Sequence, residues 1–307
     1  MRSFFIGALL IATSAASYGQ ADSLMNMLNE GSGSRKDYAT ATFKATRLIN
    51  GSTVENLAYG VLDFRIEHRF GRLDQGSQNF WGIDNANTQI NLDYGVTRWL
   101  MVGVAHGVLN KENQGFAKVK LLRQAKNGSP ITLNYYGAVS VETMPAPQLP
   151  AGDNWHYSNR LCYANQILAA RKFNESISLQ IMPTLIHYNL VDSTKFSNNT
   201  IALGLGGRVK LNRRIAITGE YYYRLNNTDL LVDGQKTYNA LSLGVDIETG
   251  GHVFQLMLTN CSGMTERTFV GQTTDQWGKG QLHFGFNISR VFTIVKPKEF
   301  RGSEEKW

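Results

Sequence analysis

Cysteine and proline are scarce in this chain of 307 residues. Cys162 and Cys261, the two cysteines, lie far apart in strand-like stretches. That is too few for the disulfide framework of a small secreted domain, so two isolated thiols are expected. Six prolines leave few hard breaks in the secondary structure. No run of 18 apolar residues occurs, which excludes a transmembrane helix. Charge of one sign is not concentrated either. Lys and Arg number 31 against 24 Asp and Glu, a formal net charge of +7, but the basic residues are dispersed. Together with export, this argues against a nucleic-acid partner.

Export is read from the first residues. Arg2 is a short positive region, Phe4 to Ala12 is apolar, and Ser17 and Gly19 fit a small-x-small cleavage site. Residues 1–19 are therefore expected to be a signal peptide. Residues 20–38, rich in Ser, Gly and Asn, read as a flexible lead-in. Residues 39–56 are a strand-like segment, expected as a plug or a periplasmic extension. Residues 57–295 read as the main domain, and 296–307 as a charged periplasmic tail.

In the main domain the hydrophobic period is two almost throughout, the mark of strands. Leu62, Phe64, Ile66 and Phe70 share one face with His68, while Asp63, Arg65, Glu67 and Arg69 share the other. A helix would mix these sets, because its period is 3.6. The same alternation returns along twelve segments, most of them 10 to 16 residues long. Globular strands run about 5–6 residues, and a strand crossing a membrane needs about 9–11. Short connections, such as Asn174-Glu175 and Gly250-Gly251, alternate with longer ones, such as 144–157 and 263–279. The expected fold is therefore an all-β, antiparallel up-and-down transmembrane β-barrel of about 12 strands in the bacterial outer membrane. Its expected partners are outer-membrane lipid and the barrel-assembly machinery, with a small solute or a periplasmic protein still to be identified.

In such a barrel the apolar phase meets lipid and the polar phase lines the lumen. The expected lumen set is Asp63, Arg65, Glu67, Arg69, Asp93, Lys118, Lys120, Glu142, Arg160, Lys172, Arg208, Lys210, Glu220, Arg224, Asp246 and Glu248. It holds nine cations and seven anions. A strongly selective pore would want a more one-sided wall, so the mixture suggests a narrow or plugged lumen. Trp99, Tyr135, Trp155, Tyr157, Tyr188, Tyr221-Tyr222-Tyr223 and Trp277 lie mostly near strand ends, where an interfacial aromatic girdle is expected.

The chain also resembles a known family. The segments that carry the likeness are His68-Arg69-Phe70-Gly71, Leu121-Leu122-Arg123-Gln124, Ala170-Arg171-Lys172-Phe173-Asn174-Glu175, Met182-Pro183-Thr184, Glu220-Tyr221-Tyr222-Tyr223-Arg224, Gly244–Gln255, Trp277-Gly278-Lys279-Gly280 and Phe284–Phe292. In this order they resemble a Bacteroidota outer-membrane β-barrel family of unknown function, of the domain of unknown function 5777 type. The resemblance implies the barrel and its location. It supplies no catalytic or ligand residues.

Three local patterns invite chemistry. Asp246, Glu248 and His252 flank the turn Thr249-Gly250-Gly251 and are a candidate for a divalent cation at the periplasmic mouth. The simpler account is a Gly-Gly hairpin turn with lumenal ion pairs. His68, His106 and His187 fall in the lipid-facing register, but no Ser lies two residues from any of them, so a nucleophile–base pair has no local support. Gly204-Leu205-Gly206-Gly207 lies inside a strand rather than between a strand and a helix, so the dinucleotide reading fails. Glycine there makes room in the lumen or permits bending. No cofactor is expected. The leading expectation is a non-enzymatic barrel that passes, binds or scaffolds something. The alternative is a lipid-modifying barrel enzyme.

Overall fold

A computed structural model describes residues 37–145, 155–191, 197–228, 231, 232 and 234–296. The expected signal peptide, the lead-in as far as residue 36 and the tail from 297 lie outside the described residues. Strands β1 (Val61–Arg72), β2 (Ala86–Gly95), β3 (Leu100–Gly107), β4 (Glu112–Leu122), β5 (Thr132–Glu142), β6 (Leu161–Lys172), β7 (Ile177–Tyr188), β8 (Asn199–Lys210) and β9 (Ile215–Arg224) follow one another around a sheet. A two-stranded ribbon, β10 (Leu231–Val232) and β11 (Gln235–Lys236), stands outside it. The sheet continues with β12 (Ala240–Thr249), β13 (His252–Thr259) and β14 (His283–Thr293). β14 returns to pair antiparallel with β1, from Val61↔Thr293 to Arg72↔His283, and closes a barrel. Twelve strands thus form an up-and-down ring in which every strand has two neighbours. No edge is left with unpaired N–H or C=O groups, the condition for crossing hydrocarbon.

Alternation decides which side chains face in. In β1, Asp63, Arg65, Glu67 and Arg69 are buried, while Phe64, Ile66, His68 and Phe70 between them lie on the outside. In β7, Ser178, Gln180, Met182, Thr184 and Ile186 are buried, while Ile177, Leu179, Ile181 and Leu185 are exposed. Exposed apolar residues therefore mark the outer wall and buried polar ones the inner wall. Arg171 lies in the outer phase, at a strand end, with its guanidinium over the Phe173 ring. Trp99, Tyr135, Tyr157 and Tyr223 are exposed, in keeping with a girdle, but Tyr188 and Tyr222 are buried. Both have the phase of the inner wall, which corrects their assignment to the interface.

The connections sort the barrel into two ends. At the turn end they are short, as at 173–176 and 250–251, where Gly251 takes φ +144. At the loop end they are longer, as at 73–85 and 260–282. Both cysteines are free and buried.

Candidate functional site

The lumen contains two stretches of the chain itself. The first precedes β1. Residues 39–56 do not form the expected strand: they bend repeatedly, and their single bridge within the segment joins Arg47 to Ser52. Asp37 and Tyr38, counted above with the flexible lead-in, are tied to the turn end. Tyr38 bridges Ala125, and the Lys126 N–H donates to Asp37. From there the chain runs inward, and Thr46 through Val54 are all buried. Its tip is a tight reversal in which Leu48 N–H donates to the Gly51 carbonyl and Thr53 N–H to the Thr46 carbonyl. A Cβ on Gly51 would stand 2.1 Å from the Tyr222 hydroxyl oxygen, so any larger residue at this point of closest approach would push the tyrosine aside.

An irregular buried segment must find partners for its backbone groups, and here side chains of the wall supply them. Glu220 accepts the N–H groups of Asn50 (2.8 Å) and Gly51 (3.0 Å) on its two oxygens. Gln180 receives Val54 N–H at 3.0 Å and donates to the Ser52 carbonyl at 2.8 Å. Gln255 donates to Leu48, Asn287 to Ile49 and Asn134 to Val54. Lys118, buried, donates to the carbonyls of Thr53 and Glu55. Two glycines of the Gly204–Gly207 stretch make room on the inner wall. A Cβ on Gly206 would lie 2.5 Å from Leu48, and one on Gly204 2.6 Å from the Tyr222 ring.

The second stretch is the connection between β13 and β14. It folds inward as a short helix, α1 (Glu266–Gly271), all of whose residues are buried. The helix start is held by reciprocal contacts. Thr265 N–H donates to Thr268 Oγ1 at 3.2 Å, and the Thr265 hydroxyl donates to Glu112 at 2.9 Å. Tyr188, on the inner wall, donates to the Arg267 carbonyl at 2.7 Å. Arg267 pairs with Glu142 and lies 3.9 Å from Glu112.

The two stretches meet at an ion pair between Arg47 and Glu266, both buried. Arg47 also reaches the Asn50 carbonyl (3.0 Å) and Tyr136 (3.2 Å). The other Glu266 oxygen accepts from Tyr136 at 3.0 Å and from Gln114 at 2.9 Å. Beside this joint, Arg65 gathers three carboxylates, with Glu67 at 2.8 Å, Asp93 at 3.0 Å and Asp63 at 3.4 Å, and donates to Thr46 at 2.9 Å. Arg69 links Asn50 to Asn287.

Of the expected lumen set, Asp63, Arg65, Glu67, Arg69, Asp93, Lys118, Arg208, Glu220, Arg224 and Asp246 are buried in the inner wall. Lys120, Glu142, Arg160, Lys172, Lys210 and Glu248 are half-buried nearer the strand ends. Sequence reasoning missed Arg47, Glu112, Glu266 and Arg267. For α1 a signal existed, since Met264, Phe269 and Val270 are too apolar for an exposed loop.

The cation candidate is filled by side chains instead. Arg208 lies 3.1 Å from Glu248 and 3.9 Å from Asp246, Lys44 lies 2.8 Å from Glu248, and Gln255 donates to Asp246. His252 packs beside Phe254 with ring centroids 6.0 Å apart. No group of three metal-binding side chains occurs among the described residues. On the outer face His106 meets Asn113 at 2.8 Å, His187 meets Asn199 at 2.7 Å and His68 meets the Thr88 hydroxyl at 2.9 Å.

The chain belongs to the family described as a membrane-bound beta barrel domain, DUF5777, whose profile matches residues 43–292. No curated protein matches it in sequence. Among solved structures it is similar to an outer membrane channel from Pseudomonas putida F1, with TM-score 0.49, 12% identity, and 78% of this chain and 98% of that one covered. It is also similar to the NanC porin, with TM-score 0.46, 11% identity, and coverages of 76% and 100%. A third similar structure is outer membrane phospholipase A from Escherichia coli, with TM-score 0.40, 13% identity, and coverages of 80% and 98%.

Proposed function

We propose that this protein is a non-enzymatic channel of the outer membrane, and that residues 39–56 are a plug which must move before the lumen conducts. The observation that carries the reading is the chemistry of the contact between segment and wall. A permanent filling would be cheaper in apolar side chains, because buried charges and amides gain little over well-packed hydrocarbon. Here the wall meets the segment with Glu220, Gln180, Gln255, Asn287, Asn134 and Lys118. Water can replace each of these contacts if the segment leaves, and the emptied wall would stay wet. In this reading the turn end faces the periplasm, and the plug enters from that side.

The test is conductance in planar bilayers. The intact chain should be silent or open rarely, and a variant lacking 39–56 should give steady stepwise conductance while keeping the heat-modifiable mobility of a folded barrel. A folded deletion variant that stays silent would sink the reading.

The imidazole–hydroxyl contact of His68 and Thr88 on the outer face favours a second reading, a lipid-modifying enzyme. Phospholipid hydrolysis lost on His68→Ala would establish it in place of the channel.

A further inference from the structure

A cavity of about 390 Å³ opens at the turn end, where the inner segment passes the rim. One wall is the segment, residues 39–42 and 54–58, and the other is the barrel, with Arg98, Lys120, Arg123 and Thr132. Three cations thus face one carboxylate, Glu55, and that carboxylate already accepts the Phe43 N–H at 3.2 Å. Arg123 is partly engaged, with its guanidinium 4.6 Å from the Tyr38 ring centroid and one nitrogen 3.5 Å from the Ala39 carbonyl. The Lys120 side chain is half-buried, and its ammonium has neither a hydrogen bond nor an ion pair among the described residues.

The backbone adds donors. Ala41 takes φ +52, a left-handed conformation uncommon outside glycine. Among the described residues no acceptor takes the N–H groups of Thr40, Ala41 or Thr42. Thr40 and Thr42 belong to the same lining. Consecutive free N–H groups beside excess positive charge are the elements of an anion site.

We propose that this cavity binds a phosphate-type anion, and that the anion fastens the inner segment to the rim. Most of the lining belongs to the segment, so the site is complete only while the segment is docked. An anion that binds the docked state alone must stabilise it, by linkage. The proposal does not require the lumen to conduct, so it stands or falls separately from the channel reading.

Inorganic phosphate is the probe, titrated calorimetrically into the full-length barrel in zwitterionic detergent. Binding should weaken about tenfold or more in Lys120→Met/Arg123→Gln, since charge-assisted contacts carry it. It should weaken severalfold in Arg98→Gln, an exposed turn variant that leaves folding untouched, and should not change in Lys279→Gln at the opposite rim. Phosphate should also slow proteolysis within 37–58 in the wild type. Repeating the titration in nanodiscs separates the two sources of a phosphate group. Competition by phosphatidylglycerol supports the site with a lipid headgroup as its occupant, and indifference supports it with a free solute. The site is overturned if phosphate does not bind the wild type, or binds both cation variants as tightly. Binding without protection from proteolysis overturns the fastening.

Discussion

The two stretches inside the barrel are held in different ways. Loop 260–282 is continuous with a strand at each end, β13 and β14, and it carries its own helix, capped by its own threonines. The segment before β1 runs on into a strand at one end alone, forms no strand with the wall, and depends largely on wall side chains for its backbone hydrogen bonds. The loop is thus an organised part of the wall folded inward. The segment is a guest whose place is made by others. Any weakening of their shared contact should therefore release the segment and leave the loop in place.

The sharpest way to break this comparison is at the joint. Arg47→Met strips Glu266 of its ion pair, and Glu266→Gln strips Arg47; loss of one partner of a buried pair costs about 3–5 kcal/mol. Both single variants are expected to make 37–60 susceptible to protease in the folded barrel while 260–282 stays resistant. The double variant should recover part of the protection. Release of the loop first would reverse the comparison. Gly51→Ala comes next. Its methyl would press on the Tyr222 hydroxyl, and overpacking of this kind costs about 1–3 kcal/mol. Tryptic release of the segment should quicken, by less than for the joint variants. Thr265→Ala should act in the other region, removing a helix cap worth about 1 kcal/mol; hydrogen exchange should rise in α1 and stay constant in 46–54. The smallest effect is expected at Cys261, within the loop. Burial pushes its thiol up to about 11, so a maleimide at pH 7.5 should not label it until the barrel is unfolded. Labelling of the native barrel would mean that the loop opens unaided.

The wall of this barrel was legible in the sequence and its contents were not, for one physical reason. Hydrocarbon on one side and polar filling on the other impose alternation on every strand, so Asp63, Arg65, Glu67 and Arg69 declare their face. The inner segment has wall on all sides and owes its conformation to residues such as Glu220 and Gln255, more than 160 positions away. Its Thr and Lys residues mimic strand alternation without strand pairing. Glu112 and Tyr188 went astray because strand ends are the least certain part of a periodic pattern. Glu266 and Arg267 escape notice because a connection between strands carries no alternation that tells which way it turns.

The hydrogen bonds between wall and segment run mainly from side chains of the wall to main-chain atoms of the segment. This sets an asymmetry in heredity. A main-chain atom is the same whatever residue bears it, so the identities of residues such as Ile49 and Val54 can drift across generations among apolar side chains. Glu220, Gln180, Gln255, Asn287 and Asn134 have no such freedom, because each offers a particular donor or acceptor at a particular height in the barrel. Lineages descending from a common ancestor of this chain should therefore keep the mould and vary the casting.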